Sequence, residues 1–203
     1  MSPAENPREP PEPKKLHRTF VALLIPESWT EYLRAVARDL AAGTSGMSWV
    51  KPENVHITVR FLGDLGDDGV RRVRESVRRS AAPFQAPVAR LGKLGAFPRP
   101  ERPRVIWVGL AEGDEGVNAL AAAVERGLRD DGFGRSDKPF RAHLTLARVR
   151  DGASGVGQVL GAKLLESPPA EPLPRLSVMK SELHPSGARY NVFEEIRLPE
   201  PVR

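Results

Sequence analysis

The chain has 203 residues, 40% hydrophobic and 28% charged, with a net charge of +5: enough for one large domain or two small lobes, with a balance that favours anionic partners. It holds no cysteine, which excludes disulfides, thiol nucleophiles and the commonest structural zinc ligand. No apolar run approaches the roughly 18 residues of a membrane span and no secretory signal opens the chain, so a cytoplasmic location is expected.

Residues 1–16 carry Pro3, Pro7, Pro10, Pro11 and Pro13 among mixed charges, and are expected to be a disordered tail ahead of a single domain over 17–203. The run from Arg18 to Ile25 reads as a buried strand ending at Pro26. Ser28 and Glu31 form a capping-box pattern ahead of a helix with Leu33, Val36, Ala37, Leu40 and Ala41 on its apolar stripe and Gly43 at its end. Trp49 and Val50 suggest a short strand. A further strand runs from His56 to Leu62, and a second helix covers about 68–80 with Val70, Val73 and Val77 inward. Val105 to Leu110 is a strand. Val117, Leu120, Ala121, Val124 and Leu128 mark a helix ending near Gly132, and His143 opens another strand. In the last third, 156–166 reads as a helix and Pro168, Pro169, Pro172 and Pro174 as a rigid linker. Leu176–Leu183 and Arg189–Leu198 read as a hairpin turning at His184-Pro-Ser-Gly-Ala.

Two segments share a pattern: His56-Ile-Thr-Val59 and His143-Leu-Thr-Leu146. On a strand, residues two apart share a face, so each copy presents an imidazole and a hydroxyl together, with its apolar residues inward. The two histidines are 87 residues apart, and the same offset relates Phe20-Val-Ala-Leu23 to Trp107-Val-Gly-Leu110 and Leu33 to Leu120. A strand, a helix and a His-x-Thr strand thus occur twice at one spacing, as an internal duplication would leave them.

Two histidines suit cleavage of a phosphodiester without a metal. One neutral imidazole takes a proton from water, and a second, protonated one gives a proton to the leaving oxygen. The hydroxyls of Thr58 and Thr145 can donate to the non-bridging oxygens. A zinc site needs three or four ligands, and neither motif has further ligands at suitable spacing. Asp64, Asp67 and Asp68 read as a loop and the acidic start of a helix. Arg60 falls on the face of His56 and Thr58 by alternation, whereas Arg148 reaches the site only if its strand ends or bulges. Arg18 and Arg141 are further candidate cations. Trp49, Phe61 and Phe140 could stack a base, although core packing is the default for aromatics. His17 and His184 read as solvated surface residues.

These residues resemble the 2H phosphoesterase superfamily and, more closely, the RNA 2′,3′-cyclic phosphodiesterase family, historically called 2′-5′ RNA ligase. The matching stretches are Arg18–Pro26, Val50–Gly63, Pro139–Arg148 and Ser186–Tyr190. The resemblance implies an α+β, bilobal, LigT-like fold in which two antiparallel sheets surround a central cleft, helices lie outside, and a pseudo-two-fold axis relates the halves. It implies hydrolysis of a terminal 2′,3′-cyclic phosphate, on RNA or a nucleotide, to a 2′-phosphomonoester. No cofactor or metal is implied, and the protein is expected to be a monomer. By position, His56 becomes the acid, His143 the base, Thr58 and Thr145 phosphate ligands, and Arg148 a phosphate contact. Ala142 stands where family members often have proline, and Arg60 where a small or apolar residue is frequent. Alternatives are 2′-5′ ligation of RNA halves through the same groups and a nucleotide- or RNA-binding module without turnover.

Overall fold

The first apolar run forms β1 (His17–Leu24) in the computed structural model, which describes residues 15–162, 164, 166–184 and 187–201. As far as residue 14, the expected tail lies outside the described residues. Alternation along β1 sends Val21 and Leu23 into the main core, while Phe20 and Ala22 pack on the opposite face with Met179. α1 (Glu27–Ala41) follows and buries Trp29, Leu33 and Val36. The expected capping box does not form. The helix starts before Ser28, with Pro26 at its N-cap, so the Ser28 hydroxyl lies inside the first turn and donates to the Glu171 carboxylate instead.

β2 (Ser45–Trp49) is longer than expected and begins earlier. A 3₁₀ turn at Pro52–Asn54 leads into β3 (His56–Leu65), and α2 (Asp67–Ala81) buries the three expected valines. β4 (Val88–Phe97) carries no clear strand signal in the sequence. β5 (Val105–Glu112), α3 (Asp114–Asp130) and β6 (Leu144–Ser154) follow the second copy of the pattern. α4 (Val156–Gly161) is shorter than the 156–166 reading. The proline-rich stretch is more than a linker. It holds β7 (Glu171–Pro172), which pairs with Val88 and Ala89, and it buries Leu173 completely. β8 (Arg175–His184) and β9 (Gly187–Arg197) form the expected hairpin, and two residues of its turn lie outside the described set.

All strands pair antiparallel, in the order β7-β4-β5-β6-β3-β1-β8-β9 with β2 on the free side of β6. The path divides into two lobes, joined where β3 meets β6 at the single pair Ile57–Leu144. Each half of the chain lends strands to the other: β8 and β9 extend the first lobe, and β2 crosses to the second. The architecture is therefore α+β and bilobal. Both joining residues are fully buried and belong to one hydrophobic core with side chains of α1, α2 and α3. Among the described residues no helix is long and apolar enough to cross a membrane.

One irregularity recurs at the duplicated spacing. Val21 pairs with Arg60 and Ala22 with Thr58, leaving Val59 as an extra residue in β3. Ile106 pairs with Ala147 and Trp107 with Thr145, leaving Leu146 as an extra residue in β6. Val59 and Leu146 are 87 residues apart. A bulge of this kind reverses the facing of every residue beyond it.

Candidate active site

His56 opens β3 directly after the 3₁₀ turn, and His143 directly precedes β6. Ile57 and Leu144 pair and point into the core, so His56, Thr58, His143 and Thr145 take the opposite face at the junction of the lobes. Continued one residue either way, the same register sets His56 across from Thr145 and Thr58 across from His143.

Both imidazoles are held alike. His56 Nδ1–H donates to the Asn54 carbonyl at 2.8 Å, and His143 Nδ1–H donates to the Arg141 carbonyl at 2.7 Å. Asn54 and Arg141 are again 87 residues apart. A carbonyl can only accept, so each neutral ring carries its hydrogen on Nδ1 and offers a lone pair on Nε2. His56 Nε2 lies 3.0 Å from Thr58 Oγ1. Burial holds both imidazoles below their ordinary pKa, and the carbonyl bonds only partly offset it. Repulsion from His143 lowers His56 further, and the Arg141 guanidinium does the same to His143.

Aromatic rings fix the imidazole planes. Phe20 stacks on His56 at 5.2 Å, and Tyr190 meets the same ring edge-on at 5.3 Å. Phe97 meets His143 edge-on at 4.9 Å and Trp107 lies 6.2 Å away. Phe20 and Trp107 are equivalent in the duplication, which was the one available signal for them. Phe97 sits on the unexpected strand β4, and Tyr190 ends the matching stretch Ser186–Tyr190, which carried no assigned role. The position of Trp107 depends on Gly95, because a Cβ there would run into the indole ring. Gly95→Val is therefore expected to displace Trp107 and lower kcat/KM by about 10- to 100-fold with little change in Tm, as a shift of about 1 Å near reacting groups does. Steady-state kinetics beside a thermal melt check this.

The two bulges decide the arginines. Beyond Val59, Arg60 turns to the core side, where it is 6% exposed. Its guanidinium donates to the Phe133 and Gly134 carbonyls and pairs with Glu125 at 3.4 Å. The expectation that Arg60 shares a face with His56 is thus corrected, since the extra residue breaks the alternation it assumed. Beyond Leu146 the same device buries Ala147 and turns Arg148 to the site face, where it is exposed and close enough to the Tyr190 hydroxyl to act on its ionisation. Arg18 acts on Tyr190 likewise.

Of the aromatic candidates, Phe61 is 60% exposed beside Phe20, whereas Trp49 and Phe140 pack against the core. His17 is not solvated. It is 5% exposed, its Nε2 bonds the Asp67 carboxylate at 2.8 Å, and its ring meets Phe193 edge-on. His184 is exposed at the end of β8. Among the described residues no three His, Asp or Glu side chains cluster so as to hold a metal ion.

Two antiparallel lobes thus each set a carbonyl-anchored imidazole and a hydroxyl on one shared face. The chain belongs to the family described as LigT like Phosphoesterase, whose sequence model matches residues 23–107 and again residues 108–190. An RNA 2′,3′-cyclic phosphodiesterase of Archaeoglobus fulgidus is 37% identical over 180 residues, 87% of this chain and 99% of that protein. One of Thermus thermophilus is 32% identical over 192 residues, 89% of this chain and 90% of its own. Among solved structures, a Thermus thermophilus protein superposes with a TM-score of 0.70 at 26% identity, covering 90% of this chain and 98% of that one. E. coli LigT complexed with 3′-AMP shares the fold, with a TM-score of 0.67 at 21% identity, covering 91% of this chain and 99% of that one.

Proposed function

We propose that this protein is an RNA 2′,3′-cyclic phosphodiesterase, a phosphoric diester hydrolase, and that His56 and His143 are its acid–base pair. The observation that carries the mechanism is the matched pair of imidazoles, each fixed as the Nδ1–H tautomer with Nε2 toward the site. The relatives' activity supports the substrate class.

In this reading His143 takes a proton from water through Nε2. The water oxygen attacks phosphorus as the bond to the 3′ oxygen breaks. His56, entering as imidazolium, gives its Nε2 proton to that oxygen, which leaves a 3′ hydroxyl and a 2′-phosphomonoester. Thr58, Thr145 and Arg148 donate to the non-bridging oxygens, where charge accumulates.

The lowered pKa values set a pH dependence. The active form holds one imidazole protonated and the other neutral, so the rate peaks between the two ionisations. In the free enzyme both lie below about 6.5. The kcat/KM profile for a 2′,3′-cyclic nucleotide is therefore expected to be a bell that peaks below that pH and falls above it. In the complex the phosphodiester anion stabilises the imidazolium, which moves the alkaline limb of kcat upward. A kcat/KM flat between pH 5 and pH 8 would sink the two-histidine reading. Stability follows the same sign: the unfolded chain takes up protons first, so the fold loses stability as pH drops from about 6.5 through the folded pKa values.

A further inference from the structure

Resting on the cyclic phosphodiesterase reading, we propose that an arginine track on the second lobe, formed by Arg150, Arg99 and Arg102 continuing from Arg148, binds the phosphodiesters upstream of the reacting end. The substrate is then an RNA of several nucleotides in preference to a cyclic mononucleotide.

Strand register locates the track. Phe97, which touches His143, pairs with Val105, and Val105 pairs with Arg148. The loop of residues 98–104 therefore closes the β4–β5 hairpin beside Arg148. That loop is tied down at both ends, with Arg104 N–H donating to the Phe97 carbonyl and Val149 N–H to the Arg104 carbonyl. A turn bonds Arg102 N–H to the Arg99 carbonyl, and both arginine side chains are exposed.

The Leu146 bulge supplies the rest. Ala147 and Val149 join the apolar cluster behind the sheet, so Arg148 and Arg150 take the site face. They are two strand positions apart, about 7 Å, a step that a single-stranded phosphodiester chain can follow.

Charge pairing separates these arginines from those that line α2. On α2, Arg71, Arg74, Arg78 and Arg79 are engaged by Asp68, Glu75, Glu194 and Asp131. Among the described residues no ion pair joins Arg99, Arg102, Arg148 or Arg150 to a carboxylate. Arg104 is paired with Asp151 and is left out of the track, and Glu101 is the one acidic residue in the loop. Cations without carboxylate partners, in a row that starts at the phosphate site, are what a polyanion needs. Across the site the first lobe presents Phe61 and Val192, exposed and apolar, with Arg18 as the cation near Tyr190.

The test compares wild type with an Arg99→Gln, Arg102→Gln, Arg150→Gln triple variant. Substrates are a cyclic mononucleotide and an eight-nucleotide RNA ending in 2′,3′-cyclic phosphate. A control carries Arg34→Gln, Arg38→Gln and Arg126→Gln, which remove the same charge elsewhere. The expected result is a fall of at least tenfold in the ratio of kcat/KM for the RNA to that for the mononucleotide. The slope of log(kcat/KM) for the RNA against log[salt] should become shallower by about 2, near 0.7 per lost phosphate contact. The control should leave both unchanged.

Fluorescence anisotropy with an RNA ending in 2′-phosphate separates this proposal from the catalytic one. Arginine-dependent binding without turnover of any cyclic end keeps the track and removes the catalytic reading. An unchanged ratio and salt slope in the triple variant overturn the track even if mononucleotide turnover is intact. Arginine-dependent retention on phosphatidylserine vesicles with no effect on RNA also overturns it, in favour of a membrane contact.

Discussion

His56→Ala and His143→Ala are each expected to lower kcat for opening of a 2′,3′-cyclic phosphate by about 10² to 10⁴-fold, the range that proton transfer by a positioned imidazole supplies. The reason is geometric. Each ring is pinned through Nδ1 to a backbone carbonyl and held by two aromatic neighbours, and no other described histidine shares the face of Thr58 and Thr145. Because the two act in one step, the double variant is expected to lose little beyond the worse single one. His143→Ala is the cleaner probe, since His143 lies outside the paired part of β6 and its removal leaves the Ile57–Leu144 join intact. Thermal melts alongside the kinetics distinguish lost chemistry from lost fold. Near-full activity in both single variants would remove these histidines from the mechanism.

Arg148→Met and Arg60→Met are expected to fail in opposite ways. Arg148 faces the site and is exposed, so its loss should cost kcat/KM on the order of 100-fold, the scale of one removed donor to a developing oxyanion, with Tm nearly unchanged. Arg60 is buried against the α3 side, so its loss leaves the Phe133 and Gly134 carbonyls short of a donor and Glu125 without its partner. A cost of about 1–3 kcal/mol in stability is expected, with kcat within about twofold of wild type. Chemical denaturation and steady-state kinetics on the same preparations decide it. If Arg60→Met lost activity and kept its stability, the bulge at Val59 would be wrong as an account of which arginine meets the phosphate.

That contrast also marks where the sequence stops being legible. The His-x-Thr strands were readable because a period of two places imidazole and hydroxyl together whatever surrounds them. Their bulges were not, because Val59 and Leu146 are apolar residues within apolar runs and nothing local marks them as extra. Arg60 was therefore assigned to the wrong face, and Arg148 reached the right one only on the condition of a bulge. β4 was hidden by Gly92 and Gly95, which weaken any strand signal; Gly95 makes sense only once Trp107 is seen lying over it. His17 read as a surface residue because its partner Asp67 is fifty positions away and a buried imidazole cannot be recognised without its acceptor. The duplication could have supplied more. The offset that links the two histidines also links Phe20 to Trp107, Asn54 to Arg141 and the two bulges.

Opening of a 2′,3′-cyclic phosphate toward the 2′ side by two backbone-anchored imidazoles is the proposed reaction. It is tested most directly by incubating an RNA with a 2′,3′-cyclic phosphate end with wild type and His143→Ala in EDTA, and resolving 2′- from 3′-phosphate products. Wild type should give a 2′-phosphate end at an undiminished rate and the variant almost none. A 3′-phosphate product, or turnover that EDTA abolishes, would contradict it.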